Sequence, residues 1–216
     1  MNYFALVSLL IALVLGFSCN RMNKAEAFWD WFQANEARIY DFESDREKVF
    51  SDLGRELKKV HPDLVFEFGP KNEKRDFVVS ADGIKEAFPA VKELVDKAPS
   101  LERWNIVQFR QRGKTDVSMV LDGEKFSSDQ FQFTIEPDGE KAGITLYFAG
   151  YDQNRRDLHH KAGFLLLDNC LGEYDMETKV GFVEVKPASQ PSGLTKQPLS
   201  ELPETFDDFV KAKLNR

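Results

Sequence analysis

Cysteine is nearly absent: Cys19 and Cys170 are the only two in 216 residues. A disulfide framework is thereby excluded. Positive charge is also scarce, with 29 Lys and Arg against 36 Asp and Glu for a net charge of −7. No lysine- and arginine-rich face stands out, so nucleic acid is not expected as a partner. A Gly-rich phosphate loop, a Gly-x-Ser-x-Gly elbow and a His-Glu-x-x-His pair are all missing. The sequence therefore names no cofactor, and its chemistry has to be sought in looser clusters.

One long apolar run is present, at the start. Between Tyr3 and Phe17 there is no charge, and only Ser8 and Gly16 interrupt the hydrophobic residues. Such a stretch belongs in or against a membrane rather than on a protein surface. As a helix it reaches only about 22 Å, short of the roughly 30 Å hydrocarbon core, which favours a secretory leader over a permanent span. The run ends in Leu15-Gly16-Phe17-Ser18-Cys19, which resembles the bacterial lipobox. That reading implies cleavage before Cys19 and a lipid on it, although Phe17 and Gly16 are not the favoured residues there and Met1-Asn2-Tyr3 carries no lysine or arginine. An uncleaved anchor is the second reading; Arg21 and Lys24 follow the run, and the positive-inside rule then places the body in the cytoplasm. A plain cleaved signal peptide is the third, without an Ala-x-Ala site in its favour. The expected address is the cell envelope as a lipoprotein, with the anchored cytoplasmic body as the alternative.

The remaining chain is expected to fold as one α+β domain over residues 20–186, followed by a proline-rich loop (187–203) and a docking helix (204–216). Nineteen phenylalanines predict a dense aromatic core. Apolar residues Phe28, Trp31, Phe32, Ile39 and Phe42 predict a helix from Lys24 to Tyr40, either packed on the domain or forming an aromatic belt beside the anchor. A second helix is expected over Asp45 to Val60, capped by Ser44 with Glu47 and stopped at His61-Pro62. Strands follow at Leu64–Phe68 and Arg75–Ser80, then a helix over Gly83 to Lys97 capped by Ser80 or Asp82, then a strand over Trp104–Arg110. The same order recurs: strands Phe131–Glu136 and Gly143–Ala149 joined across Pro137-Asp138-Gly139, a helix over Arg155–Leu171 and a strand over Lys179–Val185, with a further strand at Val117–Leu121. Two strand-strand-helix-strand units most simply build one mainly antiparallel sheet with helices on a face. Cys170, in an apolar stretch, is expected to be a small core residue.

Three clusters are candidates for chemistry. Asp157, His159 and His160, with Asp152, offer metal-ligand types, yet adjacent histidines on a helix point about 100° apart, and Asp157 equally suits the first turn of a helix as a dipole partner. His61 with Asp63, Glu67 or Asp82 can converge at one rim of the sheet and supply a general base, against a plain helix-terminating role for His61. Arg103, Arg110 and Arg112 with Lys114 surround Trp104 and suggest a grip on an anion or acidic peptide, against the ordinary wet face of an antiparallel sheet.

The strings Phe28-Trp29-Asp30-Trp31-Phe32, His61-Pro62-Asp63-Leu64, Phe66-Glu67-Phe68-Gly69, Val79-Ser80-Ala81-Asp82-Gly83 and Leu171-Gly172-Glu173-Tyr174-Asp175 together resemble a bacterial family catalogued as domain of unknown function 695, over most of residues 25 to 186. The resemblance implies a bacterial, single-domain protein and brings no activity, cofactor or catalytic residue with it. The leading expectation is a membrane-tethered, non-enzymatic module that presents a sheet face or edge to a protein or peptide. Its rivals are a hydrolase or metal-dependent enzyme using His61 or the His159/His160 pair, and a structural envelope protein.

Overall fold

A computed structural model describes residues 23–214; the leader, Cys19 and the expectations that rest on them lie outside this range. Among the described residues no helix is long and apolar enough to cross a membrane. The fold is α+β, with helices at both ends of the described chain and sheets in which antiparallel pairs dominate.

Aromatic spacing sets the first half. Helix α1 (Lys24–Ala34) starts where the Asn23 side chain accepts the Ala25 N–H at 2.8 Å, a side-chain cap. Phe28, Trp29 and Phe32 turn inward and are buried, so the rings serve the core rather than an exposed belt. The expected single helix breaks at Asn35, whose side-chain amide donates to the Trp31 carbonyl at 2.8 Å, and resumes as α2 (Glu36–Tyr40). Helix α3 (Arg46–Val60) buries Val49, Leu53 and Leu57. Its N-cap is Asp45, without a side-chain bond; Ser44, the expected cap, instead donates to the Asp41 carbonyl. Strand β1 (Val65–Phe68) pairs antiparallel with β2 (Arg75–Ser80), and β3 (Trp104–Gln108) lies parallel on the other side of β2 after a crossover through α4 (Phe88–Asp96). Helix α4 is shorter than expected at its start: neither Ser80 nor Asp82 caps it, a 3-10 turn (Lys85–Ala87) precedes it, and Pro89 occupies its first turn. Phe77, mid-β2 and fully buried, meets the rings of Phe28, Trp29, Phe32, Phe66, Phe68 and Trp104 at centroid distances of 5.1 to 6.4 Å.

The second half repeats this plan. Strands β4 (Ser118–Leu121) and β5 (Glu124–Ser127) first form a hairpin whose turn, Asp122-Gly123, has φ of +49° and +78°. Then β6 (Phe131–Asp138) and β7 (Lys141–Phe148) pair antiparallel, α5 (Arg156–Leu171) and α6 (Glu173–Lys179) cross over, and β8 (Val180–Pro187) returns parallel to β7. The two units share their terminal detail: Phe109 N–H donates to Val79 O at 2.8 Å after β3, as Ala188 N–H does to Phe148 O at 2.9 Å after β8. Strand β9 (Gln197–Pro198) covers the free edge of β6, and α7 (Leu202–Leu214) seats Leu202 and Phe206 in the core.

The repeated order thus holds, but each unit keeps its own sheet instead of contributing to one. The reason is visible in the burial: residues from Ala25 to Phe109 form one hydrophobic core and residues from Phe126 to Phe206 another. Each sheet is covered by its own crossover helix, and a parallel strand closes it on one side. The stretch from Phe109 to Gly113 passes from one core to the other and makes polar contacts to the second unit through Arg110, Arg112 and Gly113.

Candidate functional site

Strand β3 ends at Gln108, two residues before the expected limit, because Phe109 sits at φ +59° and turns the chain out of the sheet. The expected alternation of Gln108, Arg110 and Arg112 on one strand face therefore does not form. The two arginines instead become a clasp between the units. Arg110 donates through Nε to Asp168 at 3.2 Å and through Nη1 to Asp82 at 2.9 Å, with Glu67 at 3.5 Å. Arg112 donates through Nε to the Leu171 carbonyl at 3.1 Å, and through its terminal nitrogens to Asp175 at 2.7 Å and to both oxygens of Asp207 at 2.8 and 3.0 Å. One guanidinium thus joins the end of α5, the start of α6 and the C-terminal helix, in the bidentate geometry that favours arginine over lysine.

Glu173 completes the clasp and carries no exposed surface. Its Oε1 accepts the N–H of Ala81 at 2.9 Å and of Gly83 at 3.2 Å, and its Oε2 accepts the N–H of Arg110 at 3.1 Å. The electrostatics follow from one cation among several carboxyl groups. Burial works against the charge of Arg110, but Asp82, Asp168, Glu173 and Glu67 more than offset it and hold its pKa above the ordinary value. Asp168 is left short: burial pushes its carboxyl above the usual range despite Arg110, and Glu173 and Asp82 push the same way. Arg112, well matched by Asp207 and Asp175, is raised, and Arg112 in turn holds the Asp207 carboxyl below the usual range.

Beside the clasp lies an open cleft of about 700 Å³, lined by Lys92, the Gln108–Arg112 segment, Gly172, Tyr174 and the carboxylates of Asp175 and Asp207. Tyr174 is 38% exposed at its wall, stacked on Phe88, with the Lys92 ammonium 4.6 Å over its ring and 3.3 Å from its hydroxyl.

The sequence-derived candidates are dispersed. Trp104 and Arg103 belong to the α2 side, where the indole N–H donates to Glu36 at 2.8 Å and Arg103 pairs with the same carboxylate, so Trp104 is not grouped with Arg110 and Arg112. His61 ends α3 with Nδ1 3.3 Å from the Asp63 N–H and 3.7 Å from its carboxylate. Glu67 and Asp82, its other expected partners, are taken by Arg110, so that convergence does not form. Ser80 is fully buried and its hydroxyl accepts the Asp82 N–H at 3.0 Å. Of the metal candidates, Asp157 is exposed and His160 half-buried, while His159 is buried among Phe126, Phe148 and Tyr151. Its Nδ1 lies 3.4 Å from the Asp152 N–H; its Nε2 has no hydrogen-bond partner among the described residues and faces Glu124 at 3.8 Å, a carboxylate already paired with Arg155. Among the described residues no three His, Cys, Asp or Glu side chains are grouped to hold a metal ion.

Asp168, Gly172, Glu173 and Tyr174, central here, were not singled out for chemistry from the sequence. One local cue existed: Gly172 directly after a long helical pattern is a C-terminal stop, and an acidic residue after it suits the start of a further helix. Comparison of the chain with protein-family models, with curated proteins and with solved structures finds no match.

Proposed function

We propose that this chain is a non-enzymatic binding module, held at a membrane through its N-terminal segment, that receives an extended stretch of another protein in the cleft at the end of β3. The observation that carries the reading is the position of that cleft at the run-out of an edge strand. Because Arg103 O and Phe109 N–H face β2, alternation turns the backbone groups of Trp104 and Ile106 the other way, to the edge where, among the described residues, no further strand pairs. Such an edge is a template for an incoming strand, and an exposed tyrosine with a cation above it supplies the kind of anchor that protein interfaces favour. Most lining charges are already matched within the fold, which suits recognition by shape and backbone. The tether rests on the apolar run and on Cys19, and the likeness to the domain of unknown function 695 stands as a proposal on its five strings.

The test is site-specific photocrosslinking in the native host, with a benzophenone amino acid in place of Tyr174 and, as control, of exposed Phe164 on α5. A single adduct from position 174, identified by mass spectrometry, weakened by Lys92→Glu and absent from position 164, supports the reading; equal adducts from both, or none, overturns it. The mass of the mature N-terminus in wild type and Cys19→Ala tests the tether separately. A chain that keeps Met1, bears no lipid and fractionates with soluble proteins removes it.

A further inference from the structure

We propose that the carboxyl ends of β2 and β3 form a carboxylate-binding nest, and that Glu173 is the ligand the chain supplies to itself. The three N–H groups that converge on Glu173 all belong to the first unit, 92, 90 and 63 residues away along the chain, and come from two separate strand ends. They grip both oxygens, two bonds on one and one on the other, as a receptor grips a carboxylate terminus. The enclosure is complete, since Glu173 has no exposed surface.

Two of the three donors, Ala81 and Gly83, flank or sit in a tight turn with Asp82 at φ +51° and Gly83 at +80°, closed by the Ile84 N–H on the Ala81 carbonyl at 2.9 Å. Asp122-Gly123 shows the same pair of angles in the β4–β5 turn. That leaves Phe109, at φ +59°, as the one non-glycine residue among those described whose positive φ no such turn accounts for. A phenylalanine in the left-handed region has no such excuse, and strain of this kind gathers at ligand clamps. Location points the same way, because open sheets take ligands in the crevice beyond the carboxyl ends of parallel strands. In the second unit, built on the same plan, the corresponding N–H groups part: Ala149 donates to the Gln130 carbonyl at 3.0 Å and Asp152 to His159 Nδ1 at 3.4 Å. Among the described residues no carboxylate gathers them there, so the nest is not a consequence of the shared topology alone.

The ligand class is a single carboxylate, from a free small acid, an acidic side chain or a chain terminus, and it competes with Glu173 for the same three donors. This holds whether or not the neighbouring cleft takes a partner. Glu173→Ala removes four non-hydrogen atoms, the same number as in acetate, and so empties the nest to the size of that ion. In the full-length chain, solubilised in detergent, acetate and formate should raise the melting temperature of Glu173→Ala saturably and leave the wild type unmoved. Chloride at matched ionic strength and inorganic phosphate should do neither. A blocked peptide with one internal glutamate and an unblocked triglycine, titrated against the same variant, tell an acidic side chain from a chain terminus. Equal acetate shifts in variant and wild type, or a response to phosphate alone, overturns the proposal.

Should Glu173→Ala fail to fold, Glu173→Gln replaces it, keeping an oxygen for Ala81 and Gly83 but turning an amide on Arg110. Amide hydrogen exchange should then accelerate at Arg110 while Ala81 and Gly83 stay protected; no change at Arg110 would defeat the assignment of that N–H to the nest.

Discussion

Arg110 and Glu173 bind each other through the backbone in both directions: the Arg110 N–H donates to the Glu173 carboxylate at 3.1 Å, and the Glu173 N–H donates to the Arg110 carbonyl at 3.0 Å. The pair fixes the end of the first unit against the start of α6, and the Arg110 side chain then spreads to Asp82 and Asp168. Replacing Arg110 by Met keeps the backbone bonds but leaves the half-buried Asp168 without its cation. Removing one partner of a buried pair is more damaging than removing both. Because the Arg110 side chain keeps 24% exposure, solvent lessens the loss to about 2 kcal/mol. Arg110→Met with Asp168→Asn should recover part of it, measured as the urea midpoint at constant slope; a double variant no better than the single one would deny the coupling.

Gly172 stands at φ +76° and ψ 154°, a region open essentially to glycine alone, and a Cβ there would lie 3.0 Å from the Arg110 carbonyl oxygen. Gly123, in the β4–β5 turn, has φ +78° with nothing within 4 Å of its would-be Cβ. Alanine at 123 pays for dihedral strain alone, on the order of 1 kcal/mol, whereas alanine at 172 adds a backbone clash and should cost about 3 kcal/mol. Parallel denaturant titrations decide it, and equal losses would mean that the α5–α6 junction yields easily.

Much of this fold could be read from apolar periodicity. The repeated order of elements came from alternation at residues such as Phe66, Phe68, Phe131 and Phe133, which all face a core. The separation of the two units into sheets of their own could not, because alternation tells which face a residue occupies and nothing of which strand lies beside it. Strand β5 was missed even though Asp122-Gly123 is a strong hairpin turn, since Glu124-Lys125-Phe126-Ser127 carries one apolar residue. The site escaped for a further reason. Glu173 is charged, and charge is read as solvent exposure; only the distant N–H groups of Ala81, Gly83 and Arg110 make its burial tolerable. Arg110 and Arg112 are legible in the sequence as charges, but the carboxylates that pair with them inside the fold, Asp82, Asp168, Asp175 and Asp207, are not.

Asp168 gives a pH dependence whose sign is set by burial. Its folded pKa lies above the ordinary 3.8, chiefly through desolvation, so the protonated form favours the folded state. That stabilisation is full below 3.8 and is lost as pH rises through the raised folded value. Asp168→Asn, which cannot ionise, should therefore improve relative to wild type as pH climbs from about 3.5, near the ordinary aspartate pKa, into the neutral range. A difference in urea midpoint that stays flat across this interval would show that Arg110 fully compensates the charge.

His159 responds in the opposite direction. Burial lowers its pKa below 6.5, with Glu124 offsetting part of the effect. A depressed histidine pKa means that the unfolded chain binds the proton first, so this stability is present above 6.5 and is lost as pH falls towards the folded value. His159→Phe keeps a ring among Phe126, Phe148 and Tyr151 and should flatten the midpoint between about pH 5 and 7, the range spanned by an ordinary histidine. A profile as steep as wild type would place the titration at another group.

Cys170 is fully buried, and burial pushes its thiol up to about 11, so the thiolate that reacts with disulfides and maleimides is scarce as well as hidden. In a Cys19→Ser chain, which leaves Cys170 as the sole thiol, labelling should be negligible in buffer and complete in denaturant. The labelling rate in intermediate urea then reports opening of the second core. Phe77→Ala, in the first core, should cost about 3 to 5 kcal/mol, the range for emptying a buried ring. The decisive comparison is whether that loss accelerates labelling of Cys170 as much as an equal loss placed at Phe133. Equal acceleration means that the Arg110–Glu173 clasp makes the two cores unfold as one unit, while a response confined to Phe133→Ala means that each core opens alone.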